Sequence, residues 1–545
     1  MTARGNLAAI AAVFRERRLR RLELAWAGFF VGEWMHFVAL SIYAYQHDGA
    51  TGVGLFGLVR MGAASFAIPF GGILVDRYPR QRVLAASYLV RAAALAATAG
   101  AVANGSRVAL VFAVAAVAAV GAAPVRPATL ALVPLLARTP RELVAANVAS
   151  SSLEGLGTFA GPIAGGLLTV NTSAATAVVL AAGVQVACAA SVVSIRREGD
   201  VAVRASTGRG VTALSAGLRL LVNDRNPRTI VLLFASQTFV RGMLNVLLTV
   251  AALSVLGLGG GGLGWLNATL GAGAMAGSAA TVGLVGQRRL AMPFALGLVL
   301  WGAPVALIGA VPDVPVAFVA LAVVGVGNAL LDVSGFTLLQ RTVDDHLLGR
   351  VFATFEILVA VGVAAGSGIA AVAISVLGLR TSFALAGLLL PVLALLARPA
   401  LRAIDSSAHV PLERLRLLTS VALLAPLPVT ILERLAARAR TRTVVAGESI
   451  VEEGSPGEEF YVIATGRVEV LRSGVAVGVL ERPAAFGEIA LIRGTPRTAT
   501  CRALVDCELV EFDRTTFVDA ISGDRQSSRR VEDVIAARLT ADEHA

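Results

Sequence analysis

Apolar positions in this chain fall in long blocks over its first 400 residues and in short alternations after them. A helix needs about 20 apolar residues to cross a bilayer. Blocks of that kind centre near residues 35, 63, 93, 120, 156, 184, 240, 275, 300, 328, 364 and 390. The connections between them alternate in character. Residues 76–82, 137–142, 196–228, 287–289 and 341–350 are rich in Arg, whereas residues 47–51, 104–107, 171–173, 312–315 and 378–382 are short and poor in it. Basic loops stay on the cytoplasmic side, so both termini are expected there. The longest connection falls midway and divides the spans six and six. Within it, Val211–Leu221 predicts a surface amphipathic helix.

After Arg398 the pattern changes. Residues 411–438 predict two short helices around Pro426-Leu-Pro428. From about Val444 to Phe512, period-two stretches such as Phe460-Tyr-Val-Ile463 and Val468-Glu-Val-Leu471 are punctuated by Gly, which predicts strands. Residues 514–540 return to helix, with Val531, Ile535 and Leu539 on one face. The expected fold class is a polytopic all-α membrane domain of about twelve helices in a 6+6 pseudo-repeat, followed by an α+β domain, a β-roll with flanking helices. The expected boundaries are a basic N-terminal segment (1–22), spans 1–6 (23–195), a central loop (196–228), spans 7–12 (229–398), a linker with two helices (399–440) and the β-roll with its C-terminal helix (441–545).

Composition sharpens this picture. The 545 residues are 56% apolar, with a mean hydropathy of +0.76, far above soluble proteins. The net charge of +11 is unevenly spread: residues 411–545 hold 17 Arg against 20 Asp and Glu, leaving −3 there and +14 in the rest. The positive excess thus belongs to the membrane part, as retained loops and not as a nucleic-acid surface. All basic residues are Arg. Cys188, Cys501 and Cys507 are expected in cores, unpaired. Arg15–Arg21 precedes an apolar run from Leu24 to Tyr45, too long for a signal-peptide core, so it predicts a first span with its N-terminus inside.

The densest chemistry lies in Phe486-Gly-Glu-Ile-Ala-Leu-Ile-Arg-Gly-Thr-Pro-Arg-Thr-Ala-Thr500. An Arg pairs with phosphate oxygens in a fork that Lys lacks, and successive backbone N–H groups at a short helix start add to it. The stretch resembles the phosphate-binding cassette of cyclic nucleotide-binding domains. Gly447-Glu-Ser-Ile450, Gly454-Ser-Pro-Gly457, Phe460-Tyr461 and Gly466 match that family's framework, over about residues 411–540. The resemblance implies that Glu488 takes the ribose hydroxyl and Arg497 the phosphate, with Gly487, Ile489 and Ala490 supplying backbone. It makes cAMP or cGMP the regulatory ligand. Thr498 leaves that choice open, since Thr there can bond a guanine while some Thr-bearing members prefer cAMP. Val531, Ile535 and Leu539 would cap the base. Glu452, Glu453, Glu458 and Glu459 read as solvated turn residues.

In the membrane part, Gly72-Ile-Leu-Val-Asp76-Arg77-Tyr-Pro-Arg80-Gln-Arg82 resembles the loop signature of the major facilitator superfamily, with Pro79 in place of Gly and Gln81 in place of a basic residue. Gly72, Asp76, Arg77 and Arg80 would form a breakable cytoplasmic gate. Gly283–Arg289 is a degenerate echo. Gly157, Gly161, Pro162, Gly165 and Gly166 in span 5 resemble that superfamily's antiporter motif, and the spans resemble its drug and siderophore exporter branch. Small residues at that spacing let a second helix approach closely, and Pro162 introduces a kink.

Ionisable residues inside spans are costly and point to function. Glu33, His36, Arg126, Glu154, Arg241 and Asp332 are the coupling candidates, with Glu33 and Glu154 foremost and Arg126 a charge partner. Asn267, Asn328, Gln237 and Asn245 either line a cavity or join helices. No metal cluster, Walker loop or nucleophile–base set is visible, so a non-enzymatic protein with no cofactor is expected. The expected function is proton-coupled export of a small molecule across the plasma membrane, regulated by cytoplasmic cyclic nucleotide. Its partners are the nucleotide, an unknown small-molecule substrate, the bilayer and the proton, without nucleic acid. A membrane-anchored sensor that does not transport, and a constitutive transporter with a vestigial domain, are the rival readings.

Overall fold

The structure, a computed structural model, describes residues 15–136, 140–195, 218–281, 289–343, 345–407, 412–425, 427 and 429–522. The chain divides into two compact units, Met1–Ile404 and Asp405–Ala545.

The first unit is a helical bundle. Its long helices are α1 (Arg17–Arg77), α2 (Arg80–Ala103), α3 (Val108–Ala122), α4 (Val125–Leu136), α5 (Pro140–Asn171), α6 (Ala174–Val193), α7 (Arg225–Val250), α8 (Gly259–Ala280), α9 (Ala291–Ala310), α10 (Val314–Thr342), α11 (Asp345–Leu377) and α12 (Leu379–Leu396). A short α13 (Arg398–Ser407) follows, burying Leu401 and Ile404 in the bundle core. Among the described residues, ten helical stretches are long and apolar enough to cross a membrane, α3 and α4 counting as one. The first of these is two spans: α1 breaks at Asp48 and Gly49, where Gly49 takes φ +57°, open to glycine without a Cβ clash. Splitting it and adding the 22-residue, glycine-rich α8, whose centre lies a few residues before the expected 275, brings the ten to twelve.

Polar residues mark the ends of spans. Ser173 accepts from the Thr176 N–H at the start of α6, and Asp224 from the Asn226 N–H at the start of α7, each satisfying an orphan helix donor.

Lipid offers no hydrophobic force between helices, so close backbone approach must hold them together. The six-plus-six plan shows in two matching contacts across the halves. The second half of α1 packs on α11, where a Cβ at Gly54 would lie 2.6 Å from Ala371 Cβ and one at Gly57 would lie 2.6 Å from Ser367 Oγ. In the other, α5 packs on α8, where a Cβ at Gly166 would lie 2.6 Å from the Gly260 carbonyl and one at Gly264 would lie 2.5 Å from that of Pro162.

The second unit begins with α14 (Leu412–Ser420) and α15 (Val429–Arg438). Eight strands follow: β1 (Arg440–Val444), β2 (Ser449–Val451), β3 (Glu459–Thr465), β4 (Arg467–Arg472), β5 (Val475–Glu481), β6 (Ala485–Phe486), β7 (Thr500–Ala503) and β8 (Cys507–Asp513). The short α16 (Glu488–Arg493) separates β6 from β7, and α17 (Arg514–Ser522) follows β8. The strands form two antiparallel four-stranded sheets, in the orders β1-β8-β3-β6 and β2-β7-β4-β5. Strand β3 shows why its residues are apolar on both faces. Phe460 and Val462 point towards α14, α15 and α17, with Phe460 stacked on Phe517 at 4.1 Å between centroids. Tyr461 and Ile463 point the other way, into a core that also holds Ile450, Val468, Cys501 and Leu509. Successive side chains of a strand alternate faces, so one strand serves two cores. Asp513 ends β8 and caps α17, accepting from the Thr516 N–H at 2.8 Å.

Candidate functional site

In the second unit, β6 delivers the chain into Gly487, whose φ of +94° suits glycine alone, and α16 starts at once with Glu488. A Cβ at Gly487 would lie 2.6 Å from Arg497 Nη1, so glycine also makes room for that guanidinium. Arg497 is held from both sides of its own backbone, its N–H donating to the Ser455 carbonyl at 2.9 Å and its carbonyl accepting from the Gly454 N–H at 2.9 Å. The Gly454–Gly457 turn thus fixes the Arg across the sheet.

Glu488 and Arg497 are both buried, at 3% and 4% exposure. Arg497 Nη1 donates to the Gly487 carbonyl at 3.1 Å and Nη2 to the Glu459 carbonyl at 2.8 Å, while Nε is buried without a partner. A buried donor left without an acceptor is costly, and Arg497 lines a cavity. The cavity it borders has a volume of about 310 Å3 and is lined by Gly487, Glu488, Ile489, Ala490, Arg497, Thr498 and, on the β5 side, Val477 and Val479. Thr498 is exposed at its rim. Cys501 also lines it, and burial pushes its thiol up to about 12, so it is an inert apolar wall. A second cavity of about 370 Å3 shares Arg497 but is bordered by Glu452, Glu459 and Glu511, which repel a phosphate. There, burial and then Glu459 and Glu511 push the Tyr461 phenol above its ordinary value. Glu459 was expected to be a solvated turn residue. Instead it opens β3, with its carbonyl bonded to Arg497 and its carboxylate 3.6 Å from Nη2. Val531, Ile535 and Leu539 lie outside the described residues.

In the first unit, Gly72 and Asp76 fall in the last turns of α1, ahead of the exposed Arg77. A Cβ at Gly72 would meet nothing, so packing does not demand glycine there. Arg80 Nη1 donates to the Ala131 carbonyl at 3.2 Å. Gln81, where the resembling motif has a basic residue, donates to the Val192 carbonyl at 2.9 Å in the last turn of α6. The loop therefore ties three helix ends with neutral and charged donors together. The echo at Gly283–Arg289 falls mostly outside the described residues, as does much of Val211–Leu221.

The α5 glycines face the first half of α1. Cβ atoms at Gly157, Gly161 and Gly165 would lie 2.6 Å from Phe30 Cβ, 2.7 Å from the Val31 carbonyl and 2.4 Å from the Met35 carbonyl. Pro162 sits between them, within α5. One helix face thus seats α1, and Gly166 on the next seats α8.

The intramembrane charges form two groups. Glu33 accepts from Arg60 and from Arg91, with His36 Nδ1 3.9 Å away. Arg60 and Arg91 were not among the sequence candidates, although both stand within apolar spans. Their pairing with Glu33 could be found only once the helices were placed. Arg126 pairs with Glu154 at 3.6 Å. Arg241 lies within Coulombic reach of Asp332 and Glu154, and Asp332 accepts from Asn328 Nδ2 at 2.8 Å, which in turn accepts from Trp301 at 3.2 Å. A fourth acid, Glu23, is buried at the start of α1 and accepts from Ser150 at 2.8 Å.

These features define a polytopic helical membrane body joined to a small-ligand-binding β-roll. Residues 24–296, half of the chain, match the model of the Major Facilitator Superfamily, and the chain belongs to that superfamily. Residues 441–524 match the model of the cyclic nucleotide-binding domain. Neither is a catalytic family. Over 72 residues the chain is 40% identical to a cAMP-dependent protein kinase regulatory subunit of Yarrowia lipolytica, covering 13% of this chain and 19% of that protein. It is 36% identical over 72 residues to the cGMP-dependent protein kinase egl-4 of Caenorhabditis briggsae, covering 13% of this chain and 10% of that protein. The chain therefore spans less than a fifth of the length of either relative. A solved structure of the regulatory domain of Toxoplasma gondii PKA with cAMP is 28% identical, over 20% of this chain and 43% of that chain, with a TM-score of 0.19.

Proposed function

We propose that this protein is a proton-coupled exporter of a small molecule in the plasma membrane, with cytoplasmic termini, whose transport is regulated by cAMP or cGMP bound to its C-terminal domain. The observation that carries the regulatory half is Arg497: a buried guanidinium with an unpartnered Nε at the wall of a cavity that also presents Glu488 and Gly487. A cyclic phosphodiester supplies the missing acceptor, and Glu488 accepts from the ribose hydroxyl. Relatives of this domain named for cAMP and cGMP dependence support a nucleotide ligand of either kind.

The α5 glycine face supports export. It lets α5 lie against α1 and α8 at once, so it seals the two halves where an exporter holds one face closed. Among the coupling candidates, Glu154 suits proton exchange best by geometry. It is about a third exposed and its Arg126 partner stands 3.6 Å away, whereas Glu33 is enclosed by two guanidiniums. Nucleotide regulates transport only if it binds the inward-open and outward-open states with different affinity.

Proteoliposomes loaded with a pH-sensitive dye test the transport reading. When a panel of organic cations, anions and neutral amphiphiles is applied with each nucleotide present or absent, at least one compound should drive proton movement that Glu154→Gln abolishes. A body that moves none of them in any condition is an anchored sensor instead.

A further inference from the structure

The Glu33 cluster carries more positive charge than its own residues balance. Arg60 and Arg91 both donate to Glu33, so two guanidiniums share one carboxylate. His36 adds no anion: its Nδ1 is 3.0 Å from the Gly32 carbonyl, which makes it the donor there. Arg91 is completely buried and anchored, with Nη1 donating to the Ala118 carbonyl at 2.8 Å and its guanidinium 4.8 Å from the Phe29 ring centroid. Arg60 is the accessible member, 15% exposed. Its Nε has no partner, and its Nη1 meets only the Met61 thioether at 3.5 Å. Thioethers are weak acceptors, so two of its donor positions lack a strong acceptor.

The position of Arg60 matters as much as its donors. It belongs to the first half of the bundle, yet it lies within Coulombic reach of Arg241 on α7, in the second half. Arg241 has counter-charges in Asp332 and Glu154, and Glu154 has Arg126 as well. Glu356 acts on Glu154 too, so the acids gather on the Arg241 side and the excess cation sits on the Arg60 side. An uncompensated charge in a low-dielectric interior is expensive, and two like charges there add to the cost. An anion at Arg60 would relieve it.

We propose that Arg60, backed by Arg91, is the docking point for an acidic group of the transported molecule, so that the substrate is an organic anion. This rests on the transporter reading of the bundle. Glu33 is then the brace that orients the two guanidiniums.

Thermal unfolding of the purified full-length protein, titrated with benzoate, phenyl phosphate, benzenesulfonate or benzyltrimethylammonium at fixed ionic strength and chloride, tests the site. At least one of the three anions should stabilise the wild type saturably and the cation should not. Arg60→Gln should abolish that response. Arg60→Lys keeps the charge Glu33 requires, and so the fold, but lacks the planar fork, and should weaken it about tenfold. No saturable response to any anion, an equal response to the cation, or an unchanged affinity in Arg60→Lys would each overturn the proposal. Efflux from carboxyfluorescein-loaded proteoliposomes separates the two claims: binding without efflux refutes the transporter reading and leaves the anion site standing, whereas efflux indifferent to Arg60→Lys refutes the anion site.

Discussion

Arg497 gives the sharpest quantitative expectation. Its guanidinium is 4% exposed, two of its nitrogens hold the Gly487 and Glu459 carbonyls, and its Nε is free. A cyclic phosphate at that wall accepts a charge-assisted bond from a donor already positioned, so little ordering cost attends binding. Truncating one partner of a buried, hydrogen-bonded charge pair costs about 2–5 kcal/mol. At about 1.4 kcal/mol per factor of ten, Arg497→Ala should therefore weaken binding about 30- to 5,000-fold. Arg497→Lys should fall between, because the ammonium keeps the charge but cannot hold two carbonyls and a phosphate in one plane. Isothermal titration of full-length protein with cAMP and with cGMP reads the loss directly, and thermal unfolding of the same samples checks the fold. Binding by Arg497→Ala within about threefold of wild type, with the fold intact, would refute the assignment of this residue to the phosphate, since even one ordinary hydrogen bond is worth about that much.

Other consequences follow from single contacts. Gly161→Val would drive side-chain atoms into the Val31 backbone of α1, a clash worth about 1–3 kcal/mol. It should abolish flux while leaving nucleotide titration unchanged, and Gly183→Ala on α6, where a Cβ meets nothing, should leave both unchanged. Thr498 sits exposed at the cavity rim, so Thr498→Ala should cost cGMP about 2- to 12-fold in affinity, one hydrogen bond's worth, and cAMP little. The bonds from Thr515 and Thr516 hold the Asp513 carboxyl below its ordinary value. A carboxyl depressed in the folded state stabilises fully above its unfolded pKa and loses that contribution as pH falls through its folded one. Asp513→Ala should therefore speed amide exchange across Arg514–Ser522 at neutral pH, by about 1 kcal/mol of cap, and the difference from wild type should close only below the ordinary carboxylate range.

How much of this was legible in the sequence varies with how local the determinant is. The cassette was readable because Gly487, Glu488 and Arg497 lie within eleven residues and act within one short helix and the loop that follows it. Glu459 keeps the solvated carboxylate its sequence suggests, but it lies on a strand, and its carbonyl contact with Arg497, 38 positions away, needs the folded sheet. The α5 glycines declared a close helix contact by their spacing alone, yet nothing in that spacing named α1 and α8 as the partners. Glu33 was recognised as a costly intramembrane acid, while Arg60 and Arg91, 27 and 58 positions away, passed unremarked. Hydropathy finds spans one at a time and carries no information on which faces meet.

Nucleotide in the C-terminal domain is proposed to change transport through the bundle. The most direct test is the initial flux of one transported compound in proteoliposomes, measured with and without saturating cAMP or cGMP on the side of the C-terminal domain, in wild type and in Arg497→Ala. Regulation predicts a flux change in wild type, of either sign, that is absent in the variant while its nucleotide-free flux is preserved. Flux identical in all conditions in wild type, with nucleotide binding demonstrated in the same preparation, would contradict it.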